Sequence, residues 1–182
     1  GKMGYAIAEA LAKRGAEVKL ISGRTTLPTP RGVERVDVLS AADMYEAAVE
    51  AWREADGAVM CAAVADYTPA VVADKKLKKS DDDLRIELVR TKDIAAELGK
   101  TKEGRTLVGF ALETDDEMSN ANLKLERKNL DFIVMNSLRN KGTCFRSDEN
   151  QITIIGRDYQ KEYDRKPKSE VAADIVDQIE AI

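Results

Sequence analysis

The 182-residue chain is 43% hydrophobic and 34% charged, with a net charge of -4, which suits one globular domain with a substantial core. No run of 18 apolar residues occurs and no basic-apolar leader opens the sequence, so neither a membrane span nor a signal peptide is expected, and the expected location is cytoplasmic. Two cysteines, Cys61 and Cys144, are too few for a disulfide framework or an all-cysteine zinc site, and there is no histidine. That composition excludes Ser-His and Cys-His nucleophile pairs and an imidazole base, leaving lysine, carboxylate, backbone amides or an oxygen-ligated metal to carry any chemistry.

In chain order, Ala6, Ile7, Ala10 and Leu11 fall at helical spacing, which predicts a helix over 4–14 that stops at Gly15. A short apolar strand over 18–21 follows, then a loop in which Pro28 and Pro30 forbid regular structure. A second strand is expected over 36–39, and Ser40 is placed to cap a helix over 41–55. Residues 58–65 are so uniformly apolar that they predict a strand covered on both faces. The alternating stretch 84–89 reads as a half-buried strand, and a helix over 91–100 leads to a continuous apolar strand over 106–112. A helix over 117–129 and a strand over 132–135 come next. A hairpin is expected over 144–157, turning at 147–150, before a last helix whose Val171, Ile175, Ile179 and Ile182 form one stripe. Strands and helices in this alternation predict an α/β, Rossmann-like doubly wound fold: a mostly parallel sheet with helices on both faces, plus a small hairpin and a lid loop. The whole chain reads as a single domain. Because the first helix would normally follow a strand, an N-terminal strand and loop are expected ahead of Gly1.

Four groups of residues could carry chemistry. Gly1-Lys2-Met3-Gly4 forms a glycine loop at a helix start, where free amides favour phosphate; a tight packing turn explains it as well. Asp66 closes the apolar run 58–65, at the carboxyl edge where ligands of open α/β sheets bind; it could hold a ribose, act indirectly on magnesium, or simply begin a turn. Lys75, Lys76, Lys78 and Lys79 then crowd into one segment, followed by Asp81-Asp82-Asp83, which suits a lid as well as a solvated face. Lys124 and Lys128 sit four apart on one helix, suited to clamp a phosphate chain or to lie on an exposed face, while Phe110 ends an apolar strand and could meet a base or belong to the core. A classical dinucleotide site would need an acid at the end of the strand that follows the glycine loop, where Ile21-Ser22-Gly23-Arg24 stands instead.

The order of Gly1-Lys-Met-Gly4, Cys61-Ala-Ala-Val-Ala-Asp-Tyr67, Lys76-Leu-Lys-Lys79, Val108-Gly-Phe110 and Lys124-Leu-Glu-Arg-Lys-Asn-Leu-Asp131 resembles bacterial phosphopantothenate-cysteine ligase, the synthetase domain of the bifunctional coenzyme A biosynthesis protein. The resemblance runs from Gly1 to the final helix and implies ligation of 4'-phosphopantothenate to L-cysteine through an acyl-cytidylate, with CTP as co-substrate, Mg²⁺, and release of pyrophosphate and CMP. It implies Lys76 as the catalytic lysine of the lid, and Ala62, Ala63, Asp66, Lys76, Lys92, Asp93, Ile94, Ala95, Phe110, Lys124 and Lys128 as CTP-binding positions. It implies a homodimer, no nucleic-acid or membrane partner, and no flavin decarboxylase domain within this chain. Two departures from the family pattern stand out: Thr91-Lys92 replaces the commoner Asn-Pro, and the Ile-Thr-Asn-x-Ser-Ser segment that precedes Gly-Lys-Met-Gly in the family does not occur here. Competing readings are an ATP-using version of the ligase, a Rossmann-type oxidoreductase, and a nucleic-acid module built on Lys75–Lys79. The last is disfavoured by the overall acidity and the missing aromatic platform.

Overall fold

The structure, a computed structural model, describes residues 1–75, 85–113, 117–137 and 147–182. Its centre is a five-stranded sheet in the order β10 (Gln160–Glu162), β9 (Ile152–Gly156), β7 (Phe132–Ser137), β6 (Thr106–Glu113), β3 (Gly57–Met60). Strands β3, β6 and β7 run parallel, while β9 and β10 are antiparallel additions. Strands β1 (Val18–Ser22) and β2 (Val33–Asp37) form their own parallel pair. Two further pairs are antiparallel: β4 (Tyr67–Pro69) with β5 (Leu88–Arg90), and β8 (Glu149–Asn150) with β11 (Lys166–Pro167).

Alternation along the central strands divides the interior into two cores. Leu107, Ala111, Ile133 and Met135 face one side, where they meet Trp52 of α2 (Ala41–Trp52), Ile94 and Leu98 of α3 (Ile94–Lys100), and Ala121 and Leu125 of α4 (Glu117–Arg127). Val108, Phe132 and Val134 face the other side, against Met3 and Ile7 of α1 (Lys2–Lys13) and Val171, Ala172 and Ile175 of α5 (Lys168–Glu180). Leu107, Val108, Phe132 and Val134 are all fully buried, each contributing about 1.5 to 3 kcal/mol. Helices therefore cover both faces of a sheet with a parallel centre, as the strand-helix alternation predicts.

Local signals explain most helix ends. Gly15 takes φ +91°, and the bonds Gly15 N to Ala12 O and Ala16 N to Leu11 O close α1 in a Schellman turn. Ser40 and Asp43 cap α2 reciprocally.

The structure corrects several expected boundaries. The strand foreseen over 58–65 ends at Met60, and Ala62, Ala63 and Ala65 are exposed rather than covered, because the chain turns tightly through Cys61 N to Val59 O and Val64 N to Ala62 O. The half-buried strand foreseen over 84–89 is the exposed β5. The strand foreseen over 36–39 pairs earlier, over Val33–Asp37, where it matches β1 residue for residue. The hairpin joins β9 to β10, not the segments around 147–150; β8 is drawn instead to β11. In the last helix Val171 and Ile175 are buried, but Ile182 lies beyond α5 and is 55% exposed.

Candidate active site

Residues far apart in sequence converge where β4 and β5 leave the body of the fold. Pairing of Tyr67 with Arg90 closes the base of this arm, and two bonds clasp it: Thr91 N donates to Asp66 O at 2.9 Å, and Thr91 Oγ1 donates to Ala65 O at 2.6 Å. Asp66, exposed just beyond the carboxyl end of β3, is thereby one hydrogen bond from the residue that precedes Lys92.

Asp93 is the hub of the next segment. As N-cap of α3 its Oδ1 accepts from Ala96 N at 3.0 Å, while its Oδ2 lies 3.1 Å from Lys128 Nζ. Partial burial opposes ionisation of this carboxyl, but the Ala96 amide and the Lys128 ammonium outweigh it and hold the pKa below the ordinary aspartate value. Lys128 is thus bound to the start of α3. Lys124, one turn earlier on α4, is half-buried on the same helix face.

Close backbone packing fixes this meeting of α3 and α4. A Cβ on Gly99 would run into the Lys128 carbonyl, and Asn129, at φ +51°, donates from Nδ2 to Gly99 O at 3.1 Å. Lys92 lies 4.5 Å from the centroid of the Tyr45 ring, a cation-π contact of about 0.5 to 1 kcal/mol at an exposed site. Ile94 is 4% exposed and anchors α3 in the core, so any ligand contact there passes through backbone; Ala95 is half-buried beside it.

The glycine segment lies on the opposite side of β3. Gly1 is the N-cap of α1, whereas Lys2, Met3 and Gly4 already form its first turn, which corrects the expectation of a loop through all four. Met3 is buried, Lys2 pairs with Asp148 at 2.5 Å, and a Cβ on Gly4 would sit 3.8 Å from Cys61 Sγ. Burial pushes the Cys61 thiol up to about 11, against the smaller opposing influence of the Gly1 amino group and Lys168. Phe110, opposite Val134 in the β6-β7 register, is half-buried at the margin of the α1/α5 core, so it belongs partly to packing.

Strand ends, an arm base and two helices therefore bring Asp66, Lys92, Asp93 and Lys128 into one neighbourhood. Lys76, Lys78 and Lys79 of the foreseen lid lie outside the described residues, as does Cys144. Thr91, the clasp, and Tyr45, the seat of Lys92, carry no local sequence signal, since each acts on a partner more than 20 positions away. Asn136 is different: it is the polar residue after the apolar run of β7, the same cue that singled out Asp66, and it accepts from Asn150 Nδ2 at 2.8 Å.

A family model described as DNA/pantothenate metabolism flavoprotein C-terminal domain matches residues 1–182. A relative from an unknown prokaryotic organism, named cysteine/cysteine sulfinic acid decarboxylase, is 52% identical over 98% of this chain and 51% of its own length. The coenzyme A biosynthesis bifunctional protein CoaBC of Haemophilus influenzae is 45% identical over 98% of this chain and 45% of its own. The chain spans about half the length of the curated relatives it matches. Among solved structures, the C-terminal domain of a CoaBC protein superposes with a TM-score of 0.84 at 40% identity, covering 100% of this chain and 82% of that one. The DNA/pantothenate metabolism flavoprotein of Streptococcus pneumoniae shares the fold, with a TM-score of 0.82 at 21% identity over 98% of this chain and 87% of that one.

Proposed function

This chain belongs to the DNA/pantothenate metabolism flavoprotein C-terminal domain family, and on that premise we propose that it ligates 4'-phosphopantothenate to L-cysteine in coenzyme A biosynthesis, as a cytoplasmic homodimer that uses CTP. The observation that carries this reading is the bond from Thr91, the residue before Lys92-Asp93, to Asp66 and the pairing of Asp93 with Lys128 at the carboxyl side of parallel strands, where α/β sheets bind nucleotides. No helix among the described residues is long and apolar enough to cross a membrane.

The chemistry runs in two balanced steps. A carboxylate oxygen of phosphopantothenate attacks the α-phosphorus of CTP, the bond to the bridging oxygen breaks, and pyrophosphate leaves. The cysteine amine then attacks the acyl carbon of the acyl-cytidylate, the acyl-oxygen bond breaks, CMP leaves and the ammonium proton passes to solvent. Both steps bring anions together, so positioning and charge stabilisation supply the catalysis and no histidine is required. In this reading Lys128 and Lys124 serve the phosphate chain, Asp66 the ribose, the backbone of 92–95 the base and Ala62 and Ala63 the exposed edge beside them, while the role assigned to Lys76, which lies outside the described residues, is to act on the acyl-cytidylate in the second step. Among the described residues no group of three or more acidic or thiol side chains is gathered to chelate a cation. Asp66 would help hold a magnesium ion brought in with the nucleotide, and such an ion would neutralise phosphate charge.

The test is product formation by mass spectrometry with phosphopantothenate, cysteine, CTP and Mg²⁺, omitting each in turn. Product should require all four. In Lys76→Gln the acyl-cytidylate should accumulate; unchanged product formation would remove Lys76 from the second step.

A further inference from the structure

Asp66 stands exposed where the chain leaves the tight turn after β3. On one side of it Val64 packs against the core formed with α2, α3 and α4, and on the other Tyr67 pairs with Arg90. One place beyond that pair, by the same register, Thr91 stands opposite Asp66, and it uses two donors there. Its backbone N–H donates to Asp66 O at 2.9 Å and its hydroxyl donates to Ala65 O at 2.6 Å. These carbonyls belong to the two peptide groups that flank the Asp66 Cα, the Ala65 carbonyl in the peptide before it and the Asp66 carbonyl in the peptide after it. Peptide groups are planar, so a residue's backbone has only φ and ψ to vary. Holding both flanking planes to one partner restrains both angles, and with them the direction of the Asp66 Cα–Cβ bond. The partner is itself well held. Thr91 is half-buried and its branched Cβ limits rotation about χ1. The next two residues are tied down separately: Lys92 lies 4.5 Å from the centroid of the Tyr45 ring, and Asp93 caps α3 and pairs with Lys128 at 3.1 Å. The Thr91 bonds therefore carry the position of the α3 start across to Asp66.

We propose that Thr91 is a positioning residue: by bonding the peptide groups on both sides of Asp66, it aims the Asp66 carboxylate at the nucleotide. The inference rests on the nucleotide-facing role that the proposed function gives Asp66. Thr91 acts through Asp66, with its hydroxyl committed to the Ala65 carbonyl. The hydroxyl is the part that the chemistry requires. Valine keeps the shape and the backbone N–H but has nothing to donate to Ala65, whereas serine retains the donor. A single hydrogen bond on an exposed segment contributes little to the stability of the whole domain. A binding group displaced by about 1 Å can cost far more in function, so loss of the hydroxyl should be felt in nucleotide binding while the fold is kept.

Calorimetric titration of CTP with Mg²⁺ into the 182-residue chain tests this, with wild type, Thr91→Val, Thr91→Ser, Asp66→Ala and the Asp66→Ala/Thr91→Val double variant. Thr91→Val should weaken CTP by roughly tenfold, the size of one hydrogen bond lost, with far-UV circular dichroism unchanged. Thr91→Ser should recover most of that loss. In the double variant Thr91→Val should add nothing to Asp66→Ala, because a residue that acts only through Asp66 has nothing left to aim; a merely structural threonine would weaken binding equally in both backgrounds. Without nucleotide, the three-bond HN–Hα coupling of Asp66, which depends on φ, should be the same in wild type and Thr91→Ser and should move towards a conformational average in Thr91→Val. An unchanged affinity or an unchanged coupling in Thr91→Val, equal losses in the valine and serine variants, or a valine loss that persists in full beside Asp66→Ala would overturn this role alone. CTP binding indifferent to Asp66→Ala, or absent from wild type, would overturn the reading of Asp66 and this role with it.

Discussion

Replacing Asp93 separates its two roles. In Asp93→Ala, helix α3 loses the acceptor that holds Ala96 N, which for an N-cap aspartate costs about 1 kcal/mol. The same change removes the partner of Lys128. With side chains 26% and 43% exposed, that pair is screened by solvent and is worth about 0.2 to 1 kcal/mol. The total, about 1 to 2 kcal/mol, should lower the melting temperature by roughly 2 to 8 °C in a domain of this size. Asp93→Ser keeps the cap oxygen and forfeits only the charge, so it should recover about 1 kcal/mol of the loss. Urea unfolding of wild type, both variants, Lys128→Met and the Ala/Met double variant closes a thermodynamic cycle.

The pH dependence has a definite sign. Burial raises the Asp93 pKa, but the Ala96 amide and Lys128 lower it further, so the folded-state value lies below the unfolded one. The stabilisation is therefore complete above the unfolded value of about 3.9 and lost as pH falls through the lower folded value. Equal destabilisation by Ser and Ala, or a gap between wild type and Asp93→Ser that persists in full well below that window, would refute the double role.

Gly99→Ala, whose Cβ would meet the Lys128 carbonyl, should destabilise by about 1 to 3 kcal/mol through overpacking and weaken nucleotide binding by moving Lys128; calorimetric unfolding and nucleotide titration check the two effects. Asp131 accepts Leu107 N at 2.7 Å and pairs with the largely buried Lys102 at 2.5 Å. Asp131→Ala should therefore cost about 2 to 4 kcal/mol, read from urea unfolding, and a loss below about 1 would contradict that anchoring. In a Cys144→Ser background, Cys61 should alkylate slowly near neutrality and accelerate only as pH approaches about 11; rapid modification by iodoacetamide at pH 8 would contradict its burial.

Periodicity and capping made the helices and the central strands legible. Leu107 through Ala111 and Phe132 through Met135 are apolar at every position or interrupted only by Gly109, because neighbours cover both sides of these strands. The same cue failed at 58–65. Alanine is apolar enough to prolong the pattern but small enough to lie exposed, and the chain turns after Met60. Leu88 and Val89 read as a half-buried strand because alternation reports side-chain type and not whether anything covers it, and both stand exposed. Asp66 stood out locally as a polar stop to an apolar run. Its neighbourhood did not: Thr91 to Asp66, Lys128 to Asp93 and Lys92 to Tyr45 are contacts between separate elements, fixed by sheet order and by the helix approach at Gly99.

The most direct measurement is a calorimetric titration of CTP, UTP and ATP, each with Mg²⁺, into wild-type chain and Asp66→Ala. The account predicts that CTP binds more tightly than the other two and that Asp66→Ala weakens it while leaving the fold intact. Tighter binding of ATP, or CTP binding indifferent to Asp66→Ala, would contradict a cytidine nucleotide site at the base of the arm.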